Sequence, residues 1–281
     1  LTDAAGNAGL AVTGGATKDA TGPSLLVTGP AGPVSGAFDV IMVFSDPIAD
    51  LGFEDAPFTI TNGSLEGGEP VDAVTFRQPI LPEGDGLVVV DFNAESLTDA
   101  LGNLNTGATL FSVSNDQTSP GLTITGPSVP VNTPALVTFT FDEDVTGFTI
   151  DDLNISGGIA SNFAATSATV YTALIGLDPN AAADQEDGVD RPLVGASGYR
   201  IDVGVNAATL SDVAGNTNTA SGSFPVYYDT VPPVARISTP SASNGLFTVN
   251  FTFEESVTGF TADDVIVGNG TLSGFTQTYD C

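Results

Sequence analysis

Three stretches of this chain occur in near-identical copies, and that repetition limits the possible folds more than any other feature. The segment Leu1–Asn7 (LTDAAGN) returns at Leu97–Asn103 (LTDALGN) and at Leu210–Asn216 (LSDVAGN). A second block starts at Asp19 (DATGPSLLVTGP), at Asp116 (DQTSPGLTITGP) and at Asp229 (DTVPPVARISTP). A third runs over Val137–Phe148 (VTFTFDEDVTGF) and Val249–Phe260 (VNFTFEESVTGF), with a looser form over Val40–Phe53. The spacing is about 97 and then about 113 residues, too long for a small solenoid unit and right for a whole β-sandwich. The expected organisation is therefore closing strands of one repeat at 1–18, complete repeats at 19–115 and 116–228, and the first half of another at 229–281. The second complete repeat carries an acidic insertion at 176–198. Neither end portion can bury a sandwich core alone, so the array is expected to continue in both directions or to be completed by neighbouring chains. The short Asp-x-x-x-Pro boundaries suggest tight linkers.

Within the repeats the hydrophobic period is two. Val137, Phe139 and Phe141 alternate with Thr138 and Thr140; Val249, Phe251 and Phe253 do the same, and Val40, Met42 and Phe44 fill these slots in the first repeat. That pattern predicts a half-buried strand with one face on a core. Phe53, Phe148 and Phe260 each follow a glycine and are expected to plug that core. Asn62-Gly63 and Asn269-Gly270 sit between strand-like runs, a signal for tight hairpins. Leu87–Phe92 and Tyr199–Val205 read as late strands leading into the Asp-x-x-Gly-Asn turn. No helix of useful length is expected, so the fold class is all-β, with tandem sandwiches in an elongated array.

Charge and residue types exclude several functions. The 281 residues carry 34 acids and 5 bases, a formal net charge of −29. Such a chain repels nucleic acid and anionic membrane surfaces, and no apolar run reaches the length of a membrane span. The absence of histidine rules out Ser-His-Asp and Cys-His catalysis within these residues. Carboxylates are plentiful, but no cleft-forming insertion or aromatic sugar platform accompanies them, so glycosidase chemistry is not expected. Lys18 is the single lysine, too few for Lys–Asn cross-links in every repeat. With Cys281 as the single cysteine no intrachain disulfide can form, which for a secreted sandwich points to a bacterial module.

The run Phe141–Phe148 with Asp151-Asp152, the turn Ser211–Asn216 and the linker Asp229-Thr-Val-Pro-Pro233 resemble the bacterial immunoglobulin-like domains repeated in large surface adhesins, including those of the repeats-in-toxin type. The resemblance spans essentially the whole chain. It implies seven-stranded sandwiches strung end to end outside the cell, often with Ca²⁺ near domain junctions. The first repeat departs from the pattern at Pro47, at Asp50-Leu51 and at Ala56-Pro57.

A sandwich of this topology should bring its leading linker, the loop after its second strand and its final turn to one pole. In the second repeat these segments carry Asp116; Asp142, Glu143 and Asp144; and Asp212 with Asn216, while Asp151 and Asp152 follow close by. The first repeat offers Asp19, Asp46, Asp99 and Asn103, and the last offers Asp229, Glu254, Glu255, Asp263 and Asp264. An all-oxygen donor set suits Ca²⁺ rather than zinc or copper. The same residues also suit plain turn formation, because Asp and Asn hydrogen-bond their own backbone. The acids of the insertion, Asp178 to Asp190, do not meet the EF-hand spacing and read as a solvated loop. Three functional classes stay open: a stalk of stiffened repeats holding a binding head toward a surface glycan or protein, a subunit of an extracellular filament or surface layer, and an accessory module of a secreted enzyme.

Overall fold

The computed structural model describes residues 2–8, 14–15, 18–48, 58–106, 110–178, 198–240 and 244–277. The first complete repeat is built from β1 (Leu25–Thr28), β2 (Phe38–Phe44), β3 (Phe58–Thr61), β4 (Gly63–Leu65), β5 (Glu69–Pro70), β6 (Thr75–Pro82), β7 (Gly86–Phe92) and β8 (Phe111–Asn115). One sheet has the order β1-β2-β6-β4, with β5 also on β6, and the other has the order β3-β7-β8.

The second repeat follows the same plan with β9 (Leu122–Thr125), β10 (Ala135–Phe141), β11 (Val145–Thr146), β12 (Leu153–Ser156), β13 (Gly158–Ala165), β14 (Val170–Leu177), β15 (Gly198–Val205), β16 (Ser211–Asp212) and β17 (Phe224–Asp229). Its sheets run β13-β14-β10-β9 and β12-β15-β17, and the short pair β11-β16 ties the loop after β10 to the final turn. Two further strands, β18 (Ala235–Ser238) and β19 (Asn250–Phe253), open a third unit. Among the described residues the helical elements are two 3-10 turns, Ile150–Asp152 and Ala262–Asp264.

The period-two strands bury the faces expected of them. Val137, Phe139 and Phe141 lie in one core with Ile175, Ile201, Val203 and Val226 from both sheets. Val40, Met42 and Phe44 lie in another with Ile80, Val88, Val90 and Phe92. Phe148 plugs the second core, its ring edge-on to Phe141 and Tyr171 at 5.3 and 5.0 Å. In the third unit Phe260 meets Phe253 edge-on at 5.1 Å and Phe251 at a tilt at 5.3 Å. Phe53 and the departures at residues 50–51 and 56–57 lie outside the described residues, as do residues 179–197 of the insertion and Cys281.

The hairpins expected at the Asn-Gly pairs are corrected. Asn62 does separate β3 from β4, but β3 pairs with β7 and β4 pairs with β6, so the chain changes sheets there instead of turning back. Asn62 adopts φ 59°, and Gly157 fills the same place between β12 and β13 with φ 85°. The left-handed backbone supplies a corner between two sheets. Asn269 has φ 57°, and no described strand flanks it. An Asn-Gly pair signals the left-handed residue itself; which strands pair around it is a tertiary matter.

Candidate metal centre

Three segments of the second repeat meet at its N-terminal pole: the linker at Asp116, the loop after β10 and the turn after β16. The carboxylates of Asp116, Glu143 and Asp212 each place an oxygen within 4.8 Å of the others. Asp212 is buried, and Asp116 and Glu143 are half-buried. Local chemistry explains why each holds its place. Asp212 accepts the backbone N–H groups of Gly215 and Asn216 at 2.6 and 2.8 Å, which closes the turn, and Gly215 supplies the φ of 98° that the turn needs. The Asn216 amide donates to Asp212 Oδ2 at 2.7 Å and to the Asp116 carbonyl at 2.8 Å, binding turn to linker. Val145, one residue beyond Asp144, pairs with Asp212, which brings the Glu143 loop alongside.

The electrostatics of this group are unfavourable as it stands. Burial pushes the Glu143 carboxyl above its usual range, and the charges of Asp212, Asp116, Asp142 and Asp85 push it the same way. Like charges held together with no cation make protonation, or a bound metal, the way to relieve the strain. Carboxylate oxygens held this close match a hard divalent cation and offer nothing to a soft one. The donor set therefore fits Ca²⁺.

The other expected ligands stand elsewhere. Asp142 accepts the Gly121 N–H at 2.7 Å and so fixes the start of β9. Asp144 and Asp151 are exposed and lie outside the three-carboxylate group. Asp152 accepts Thr149 N–H and Oγ1–H at 2.6 and 2.9 Å, and Asp264 holds Thr261 at 2.8 and 3.0 Å, so both cap a 3-10 turn. Asp263 and Glu255 are exposed. Asp229 accepts the Val231 N–H at 3.1 Å, and Glu254 pairs with Arg236.

In the first repeat Asp99 is buried and accepts Leu101 N–H, Asn103 N–H and the Asn103 amide. These bonds, the Asn103 amide foremost, hold its carboxyl below the usual range. Asp19 accepts Thr21 N–H and Oγ1–H, which lowers its carboxyl, while the neighbouring Asp99 charge opposes that shift. Asp46 instead accepts the Ser45 hydroxyl at 2.7 Å, and Ser45 stands where Asp142 stands in the second repeat. Among the described residues, Asp19, Asp46 and Asp99 form no group as close as that of the second repeat.

One residue at this pole had no warning in the sequence. Asp85 lies in the turn between β6 and β7 of the first repeat. It accepts Gln117 N–H and Thr118 Oγ1–H, both at 2.6 Å. The Glu83-Gly84-Asp85-Gly86 string marks a tight turn, but nothing local to it points to a linker more than thirty residues on.

Two antiparallel sheets in the orders β13-β14-β10-β9 and β12-β15-β17, repeated in the first unit, have the strand order of a constant-type immunoglobulin sandwich. The two complete units are immunoglobulin-like sandwiches. Residues 116–190 and 229–280 match the bacterial Ig-like domain family. A search of curated proteins found no match. Among solved structures the chain is similar to FdeC, an Escherichia coli adhesin, at 10% identity over 85% of this chain and 74% of that one, with a TM-score of 0.40. It is also similar to InvD of Yersinia pseudotuberculosis, at 12% identity over 82% and 69% with a TM-score of 0.33. For adhesin InvE of the same species the values are 10% over 73% and 58%, with a TM-score of 0.26. No helix among the described residues is long and apolar enough to cross a membrane.

Proposed function

We propose that this chain is a structural segment of an extracellular bacterial surface protein, a stalk whose second repeat is fixed to its predecessor by a divalent cation, Ca²⁺ in the first instance. The observation that carries this reading is the meeting of Asp116, Glu143 and Asp212 within 4.8 Å at the pole where one repeat hands over to the next. Asp116 belongs to the linker, so whatever holds its carboxylate holds the joint between the repeats. When bound, the cation supplies the positive charge that three converging carboxylates lack. Asp212 and Glu143 present fixed oxygens, Asn216 orients Asp212 and the Asp116 carbonyl, and Asp142 keeps β9 in place beneath them.

The reading makes the protein a spacer and not a catalyst; its acidity belongs to a mechanical joint. The test is small-angle scattering of the whole chain in calcium and in excess chelator, with calcium titration calorimetry beside it. A maximum dimension that falls, and a profile that loses its features, when calcium is removed is the expected result. Identical profiles, together with no heat of calcium binding, would refute the proposal.

A further inference from the structure

The same junction carries a second device that needs no metal. We infer that the turn joining β6 to β7 in the first repeat is a latch that seizes the linker of the second repeat, with Asp85 as the contacting residue and Asn62 and Asn115 as positioning residues. The Asp85 carboxylate accepts from Gln117 N–H and Thr118 Oγ1–H at 2.6 Å each, one oxygen to each donor. Those bonds hold its carboxyl below the usual range, the Thr118 hydroxyl contributing most.

The turn itself is pinned from two sides. The Asn62 amide donates to the Gly84 carbonyl at 3.0 Å, and the Asn115 amide donates to the same carbonyl at 2.7 Å. Glu83 N–H in turn donates to the Asn62 carbonyl at 3.2 Å. Asn62 reaches the turn because its left-handed backbone places it at the corner between two sheets, at the C-terminal pole. Asn115 is the last residue of β8 and is buried at 1% exposure. Two side chains, one from the β3–β4 corner and one from the end of β8, thus fix one carbonyl, and the next residue is the one that grips the linker.

Both faces of the latch are defined. Asp116 N–H donates to the Val34 carbonyl of the first repeat at 2.9 Å, so the linker lies against that pole before Asp85 closes on it. Thr118 N–H donates to Asp116 Oδ1 at 3.0 Å, which turns the Thr118 hydroxyl side of the linker toward Asp85. Relative motion of joined domains is the default when little holds them; here a side chain of one repeat is bonded to the backbone and a hydroxyl of the segment that begins the next.

The test uses the whole chain with Cys281→Ser and spin labels at Leu26→Cys and Leu136→Cys, exposed positions on β1 and β10. The distance distribution is measured by pulsed dipolar spectroscopy in excess chelator. The unsubstituted latch is expected to give a narrow distribution there, and Asp85→Ala to broaden it about two-fold. Thr118→Val, which removes the linker's hydroxyl without touching the turn, is expected to broaden it in the same direction. Equal widths for the parent and both variants in chelator would overturn the latch. A calcium arm keeps the two devices apart: narrowing on calcium addition reports the cation joint whatever Asp85 does.

Discussion

Replacing Glu143 by Gln should stabilise the second repeat without calcium and weaken it with calcium. The carboxylate oxygens of Asp116, Glu143 and Asp212 lie within 4.8 Å of one another. Two unit charges at that separation repel by about 0.9 kcal/mol even in the dielectric of bulk water. Glu143→Gln keeps the size of the side chain and deletes two of the three repulsions, roughly 1.7 kcal/mol before relaxation. For a domain of about 100 residues this raises the melting temperature by roughly 8 °C. In calcium the order reverses: free cation at about a hundred times its dissociation constant adds about 2.7 kcal/mol to the parent, more than the relieved repulsion, and the variant has lost a charged ligand. The assay is near-ultraviolet tyrosine dichroism on heating. The chain has no Trp, and four of its five tyrosines, Tyr171, Tyr199, Tyr227 and Tyr228, lie in the second repeat, with Tyr279 in the third unit and none in the first, so the signal reports mainly on the second repeat. Added monovalent salt should shrink the chelator effect through screening. A variant that melts with the parent in chelator, or that gains as much from calcium, refutes the reasoning.

Acidity gives a related outcome. In chelator the raised Glu143 carboxyl makes the folded state prefer the proton, so the second repeat should gain stability as pH falls from neutral toward the ordinary carboxylate range. Below that range Asp85 and Asp99 of the first repeat, whose carboxyls are held low by hydrogen bonds, lose their contribution and that repeat is expected to weaken, read by amide exchange; tyrosine-monitored melts across pH read the gain of the second repeat. Phe148→Ala removes the ring around which Phe139, Phe141, Phe163 and Tyr171 pack, and should cost about 3–5 kcal/mol in denaturant unfolding. Tyr228→Phe deletes a buried hydroxyl that donates to the Ile175 carbonyl and accepts the Ala135 N–H, with an expected loss of about 1–3 kcal/mol by the same method. Gly22→Ala places a methyl 1.6 Å from the Leu104 carbonyl oxygen and should loosen the first repeat, seen as faster amide exchange around residues 97–105.

The strands and their inward faces were legible because burial imposes a period of two, and Val137, Phe139 and Phe141 repeat it with no competing signal. The pole was legible because strand order fixes which loops share an end; given the sandwich, Asp116, Glu143 and Asp212 had to be near one another. What failed was local. Asn62-Gly63 reads as a hairpin because a left-handed residue most often serves one, yet the sheet partner of β4 is β6, which nothing in residues 59–65 can specify. Asp152 and Asp264 resembled ligands through their place after the Phe148 and Phe260 plugs, whereas the Thr three residues before each makes it a turn cap. Asp85 was invisible for the opposite reason: its partners are distant in sequence, and its turn has a short form in the first repeat alone.

The joint between the two complete repeats owes its character to a single residue used three ways. The Asp116 N–H is bonded to Val34 of the first repeat, its carbonyl to Asn216 of the second, and its carboxylate stands in the acidic group of the second. A Cβ at Gly215, in the turn that Asn216 closes, would come 3.8 Å from Ser35 Oγ of the first repeat, so the turn stands close to both sides of the joint. Swinging one repeat against the other must therefore break bonds on both sides of the same residue, together with those Asp85 makes to the next two residues. In the first repeat the homologous Asp19 and Asp99 are still neighbours, but Ser45 replaces Asp142 and its hydroxyl engages Asp46. The second repeat's pole gathers three carboxylates, whereas in the first Asp46, at the place of Glu143, engages the neighbouring Ser45 hydroxyl. The repeats share a fold because their cores share a period, and they differ as joints in the side chains their loops present at this pole.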